Sequence, residues 1–207
     1  MKLKTIGLLG LLGVTAAGTL GACSENAPYA GQWQGTPENI VSIPGASDAT
    51  ATLTLDFAPS EQKGGTGTVN ISAVVEVEQA VTGAMPGIDE PYEVSVAATA
   101  SITGRYTRDG DDDDDLIVTF DPETMNVNVD PSGVTFSTNV LTGAQQPVLD
   151  SLSTATARNW KTALTPALRE IFNRYRTIED IKVHHGDMMS CEIDHRDCTF
   201  RRVGVPD

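Results

Sequence analysis

From residue 50 onward apolar and polar side chains alternate one by one, for longer than any helix would tolerate. Leu53, Leu55 and Phe57 alternate with Thr52, Thr54 and Asp56, and Val69, Ile71, Ala73, Val75 and Val77 face away from Asn70, Ser72, Glu76 and Glu78. A third run sets Val94, Val96, Ala98, Ala100, Ile102 and Tyr106 against Glu93, Ser95, Thr99, Ser101 and Arg105. A period of two is the signature of half-buried β-strands. The length of the third run suggests a bent or barrel strand. Turn signals separate the runs at Pro59 to Gly67, Gly83 to Pro91 and Asp109-Gly110, each short enough to join antiparallel neighbours, so a meander is expected. Leu116 to Phe120 and Met125 to Val129 are expected to continue it across a turn at Asp121-Pro122, with a short strand near Gly133 to Phe136.

The period then changes. Leu149 and Leu152, then Trp160, Leu164, Leu168, Ile171, Phe172 and Tyr175, recur every three or four residues, the spacing of a helical face. Thr165-Pro166 reads as a capping residue followed by proline at a first helical position, which predicts two helices, near 147–163 and 166–176. Strand character returns at Ile178 to Val183, Met188 to Ile193 and Cys198 to Val203. Eight or nine hairpin-joined strands in one domain over 30–207, with a helical insertion at about 147–176, predict a mainly β sandwich or up-and-down barrel.

Residues 1–22 follow the plan of a secretory signal. Lys2 and Lys4 precede a short apolar run that ends at Leu20, too short for a membrane span. Leu20-Gly21-Ala22-Cys23 resembles the lipobox of bacterial lipoproteins, in which the cysteine is acylated, palmitate being a typical chain, and becomes the first residue of the mature protein. Each buried acyl CH₂ contributes about 0.8 kcal/mol, so a multiply acylated cysteine holds the protein at a membrane. Residues 23–29 then form an acylated tether. Ser24 resembles the sorting residue of outer-membrane lipoproteins, which places the chain in the cell envelope, at the periplasmic face or the cell surface.

Removal of Lys2 and Lys4 takes the net charge from -14 to -16. The acidity is uneven: residues 23–157 hold three basic and twenty acidic side chains, whereas residues 158–207 are nearly balanced. Such a surface repels phosphate and excludes a nucleic-acid binder, while favouring cations or basic partners. With Cys23 taken by lipid, Cys191 and Cys198 remain as a pair, and a hairpin folded about Asp194-His195 places them opposite each other, so a disulfide is expected.

Two local features favour the barrel. Gly31-Gln32-Trp33 stands near the start of the mature chain and Phe200-Arg201-Arg202-Val203 closes the last strand. This resembles the lipocalin and wider calycin pattern, in which the G-x-W tryptophan of the first strand packs beneath the barrel against an arginine of the last. The layout is similar to small lipocalin-like lipoproteins of the Bacteroidetes type, many of which have no assigned activity. The second lipocalin motif, T-D-x-x-Y, is missing, and the helical stretch precedes the last three strands instead of following them. The resemblance implies a barrel-closure pair of Trp33 with Arg201 or Arg202, and non-covalent binding of a small apolar molecule in the barrel mouth. The alternative expectation is a structural or interaction lipoprotein with a side-chain-filled barrel, an accessory subunit of an outer-membrane or surface complex.

Other chemistry finds little support. The run Asp111 to Asp115 lacks the glycine and closing glutamate of a calcium loop and reads as a solvated turn. His184, His185 and His195 with Asp187 and the cysteines fit a zinc site poorly, because adjacent strand residues point to opposite faces and consecutive hairpin turns lie at opposite ends. No metal or cofactor is expected. Neither G-x-S-x-G, H-E-x-x-H nor a phosphate-binding glycine loop is present, so the sequence points away from an enzyme.

Overall fold

The computed structural model describes residues 28–36, 43–59, 66–82, 91–110, 114–137 and 146–204. The expected signal sequence and the lipobox Cys23 lie outside them, as does Asp111 to Asp113 of the acidic run. Among the described residues no helix is long and apolar enough to cross a membrane.

Among the described residues nine strands form: β1 (Gly31–Gly35), β2 (Asp48–Pro59), β3 (Gly67–Val81), β4 (Tyr92–Arg108), β5 (Leu116–Val129), β6 (Thr135–Phe136), β7 (Thr177–His184), β8 (Met188–Ile193) and β9 (Arg196–Arg202). All pairings are antiparallel, and β9 returns to pair with β1, so that eight strands close into a ring. The ninth, β6, continues the pairing of β5 along β4 after a 3₁₀ turn at Pro131–Gly133. The alternation seen in sequence becomes burial: Val94, Val96, Ala98, Ala100, Ile102 and Tyr106 of β4 are all buried while their neighbours face out. Nearly half of β3 is β-branched, and a branched side chain packs well on a pleated surface.

Two expectations are corrected. Asp121-Pro122 is not a reversal. Both halves of β5 pair with β4 in one direction, and the register jumps from Asn126 opposite Ser101 to Asp121 opposite Thr103. The extra residues bulge outward. Pro122, which has no N–H to give the ladder, sits in the bulge, and Thr124 ties it down by accepting the Thr103 N–H at 2.9 Å.

The helical stretch is likewise one helix, α1 (Gln146–Arg174), running straight through Pro166. Thr165 does not cap: its hydroxyl donates to the Lys161 carbonyl one turn back, at 2.7 Å. Trp160 and Leu164 before the proline, and Leu168, Ile171 and Phe172 after it, lie on one buried face, and their shared packing outweighs the lost hydrogen bond. Helix α1 packs against β4 and β5, and its buried residues join those of the strands in a single core. The small inward residues Ala73, Ala98 and Ala100 belong to that core together with the large side chains of the helix.

Candidate functional site

The chain enters the ring at Pro28 to Ala30. Tyr29 is buried there in an edge-to-face triangle with Phe57 and Tyr106, ring centroids 5.5–6.0 Å apart. Gly67 makes room for the triangle, since a Cβ at that position would come within 2.5 Å of the Tyr106 ring and hydroxyl. Burial pushes the Tyr106 phenol up to about 12, with help from the neighbouring Tyr29.

Trp33 is fully buried beside this cluster, and its indole N–H donates to the Tyr29 carbonyl at 2.7 Å. Its register partner on β9 is Arg202, whose guanidinium carbon lies 4.3 Å from the ring centroid. Arg202 also donates to the carbonyls of Gly186 (2.6 Å), Ala30 (3.0 Å) and Pro28 (3.3 Å). The glycine of G-x-W has two causes: Gly31 has φ +106°, and a Cβ there would stand 2.9 Å from Nη1 of Arg202. Arg201 takes no place in this clasp, because alternation turns it to the exposed face opposite Gln34. Of the two candidate arginines, the geometry brings only Arg202 to Trp33.

Cys191 and Cys198 stand directly opposite each other on β8 and β9, but as free buried thiols; the expected disulfide is not formed. Asp194 and His195 both have positive φ (54° and 60°), the backbone of a two-residue type I′ turn. Such a turn makes Ile193 and Arg196 a hydrogen-bonded pair, and alternation makes Cys191 and Cys198 another. Cβ atoms in hydrogen-bonded pairs lie at the wide end of the cross-strand range, beyond the separation of about 3.8 Å that a disulfide prefers. Burial pushes both thiols up, and the facing thiol adds to the shift at Cys191.

The described end of the acidic run is tied to β7. Asp115 accepts the Asp180 N–H at 2.8 Å through its carboxylate, and the Asp114 carbonyl accepts the Ile181 N–H at 3.0 Å. The histidines stay apart. His184 meets the Ser190 hydroxyl at 3.0 Å near the Gly186 turn, whereas His195 lies in the turn at the other end of β8.

Two groupings escaped sequence reasoning. A cavity of about 620 Å³ opens where α1 crosses the 3₁₀ turn and β6, lined by Val134, Phe136 and Leu149 with Asp150, Ser153 and Thr154. Separately, Glu179, Glu192 and His195 bring ligand atoms within 4.8 Å of one another. No single stretch of sequence holds either set, so no motif signals them.

No family model, no curated protein and no solved structure matches this chain.

Proposed function

We propose that the protein is a cell-envelope lipoprotein, acylated at Cys23 and held at the outer membrane, whose lipocalin-like barrel acts through its outer surface as an interaction subunit. The observation that carries this reading is that the inward strand residues and helix α1 share a single buried core, to which Trp160, Leu164, Leu168 and Ile171 belong. A barrel filled by its own side chains offers surface in place of a pocket. The uneven acidity of residues 23–157 favours a basic or cationic partner. A second reading rests on the rim cavity, where Phe136, Val134 and Leu149 supply an apolar wall with a few polar groups, the composition of a small-molecule site.

Native mass spectrometry of the protein extracted from membranes separates the two. A co-purifying protein with a clean apo mass supports the interaction subunit. A retained small molecule, lost on Leu149→Asp, supports the cavity instead. Anchoring has its own test: Cys23→Ala abolishes labelling by a fatty-acid probe and releases the protein from membranes, and unchanged labelling would overturn it.

A further inference from the structure

The last three strands set like charges in register on their outward face. Glu192 on β8 stands directly opposite Glu179 on β7 and directly opposite Asp197 on β9. Residues paired across an antiparallel ladder point to the same side, and carboxylates placed so destabilise the sheet. Nearby, Lys182 lies 3.1 Å from Asp180, and Arg174 lies 3.7 Å from Glu170 and 3.8 Å from Asp194.

An imidazole reaches the row from the turn that follows β8. Nδ1 of His195 lies 3.4 Å from Oε1 of Glu192. Bonds of about 2.0–2.1 Å to a tetrahedral ion place two ligand atoms about 3.4 Å apart, so this pair already has the edge of a coordination tetrahedron. One oxygen of Glu179 completes a triad whose atoms all lie within 4.8 Å. The three ligands come from three places: one strand, its neighbour and the turn that follows. An ion held by them leaves a fourth position for water, and the exposed imidazole leaves the approach open.

We propose that Glu179, Glu192 and His195 form a surface site for a first-row divalent cation such as zinc, with Asp197 beside it in register. One nitrogen and two carboxylate oxygens favour zinc, cobalt or manganese over calcium, which takes six or more oxygens. The site joins β7 to the β8–β9 hairpin where their register slips between Glu179 and Lys182. It is independent of the membrane anchor and of any ligand in the rim cavity.

Calorimetric titration of the full chain in mild detergent with Zn²⁺, and absorption titration with Co²⁺, test the proposal. The expected result is one ion per chain and a four-coordinate cobalt spectrum without a thiolate charge-transfer band. Glu179→Gln and His195→Asn each weaken binding about ten-fold or more. Asparagine is chosen because it tolerates the left-handed backbone of His195. Added Zn²⁺ raises the melting temperature of the parent chain but not of Glu179→Gln, which keeps the comparison meaningful if one variant is less stable. Asp112→Asn/Asp113→Asn leaves the affinity unchanged. The proposal is overturned by unsaturable binding, by a thiolate band, by parental affinity in Glu179→Gln or His195→Asn, or by loss of affinity in the aspartate variant.

Discussion

Arg202 stacks 4.3 Å over the ring of Trp33 and, through the same guanidinium, ties the carbonyls of Pro28, Ala30 and Gly186 into one clasp. Stacking and charge-assisted hydrogen bonds of this kind together contribute about 3 kcal/mol when partly buried. Arg202→Ala is therefore expected to lower unfolding free energy by about that amount in urea titration. Arg202→Lys recovers less than half of the loss, because an ammonium lacks the planar fork. Arg201→Ala, on the exposed face, stays within about 0.5 kcal/mol of the parent.

Gly31→Ala is expected to cost about 2 kcal/mol. Part is the backbone, since φ +106° is strained for alanine, and part is the approach of its Cβ to Nη1 of Arg202. The second part vanishes once the arginine is gone. A double-mutant cycle of Gly31→Ala with Arg202→Ala should show the two losses summing to more than the double variant loses.

The hydroxyl of Tyr175 is buried without a hydrogen-bond partner among the described residues. Leaving a buried donor unpaired costs more than a net hydrogen bond returns. Tyr175→Phe keeps the ring and removes the hydroxyl, so it is expected to stabilise the protein by about 1 kcal/mol, read as a higher melting temperature.

Cys191 and Cys198 are expected to resist alkylation in the folded protein and to react once it is unfolded, because the thiolate is the nucleophile and burial disfavours it. The same displacement makes stability depend on pH. Each thiol ionises near its ordinary value of 9.0 when unfolded and above it when folded, because burial disfavours the thiolate. The unfolded state then binds fewer protons, so stability is full below that value and falls as pH rises above it. Urea midpoints compared at about pH 8 and about pH 10 should decline, and the decline should flatten in Cys191→Ala/Cys198→Ala. A steady midpoint in the parent chain would falsify the assignment.

Much of the fold was legible because burial and period coincide. The alternation through Val94 to Tyr106 announced β4, and the opposition of Cys191 to Cys198 followed from placing the turn at Asp194-His195. What failed to show was whatever depended on a partner distant in sequence. Pro166 looked like a helix start because its missing N–H is local, whereas the core face that carries α1 past it is tertiary. Pro122 looked like a turn because a strand bulge needs β4 alongside to be seen. Cys191 and Cys198 suggest a bridge because their opposition across the hairpin is what shows first, whereas the type I′ geometry that makes them a wide pair is set by the backbone of Asp194 and His195. Glu179, Glu192 and His195 meet only through strand register and one turn, so nothing in their spacing marks them as a set.

The clasp at the start of β1 also sets how the molecule bears load. Tension arriving through the residues before Pro28 runs along the axis of β1, which is flanked by β2 on one side and β9 on the other. Pulled in that direction, the hydrogen bonds of both flanks and the grip of Arg202 on Pro28 and Ala30 are strained together, in shear, instead of opening one after another like a zipper. Shear geometry makes the junction between the ring and whatever precedes it a mechanically strong point of the molecule.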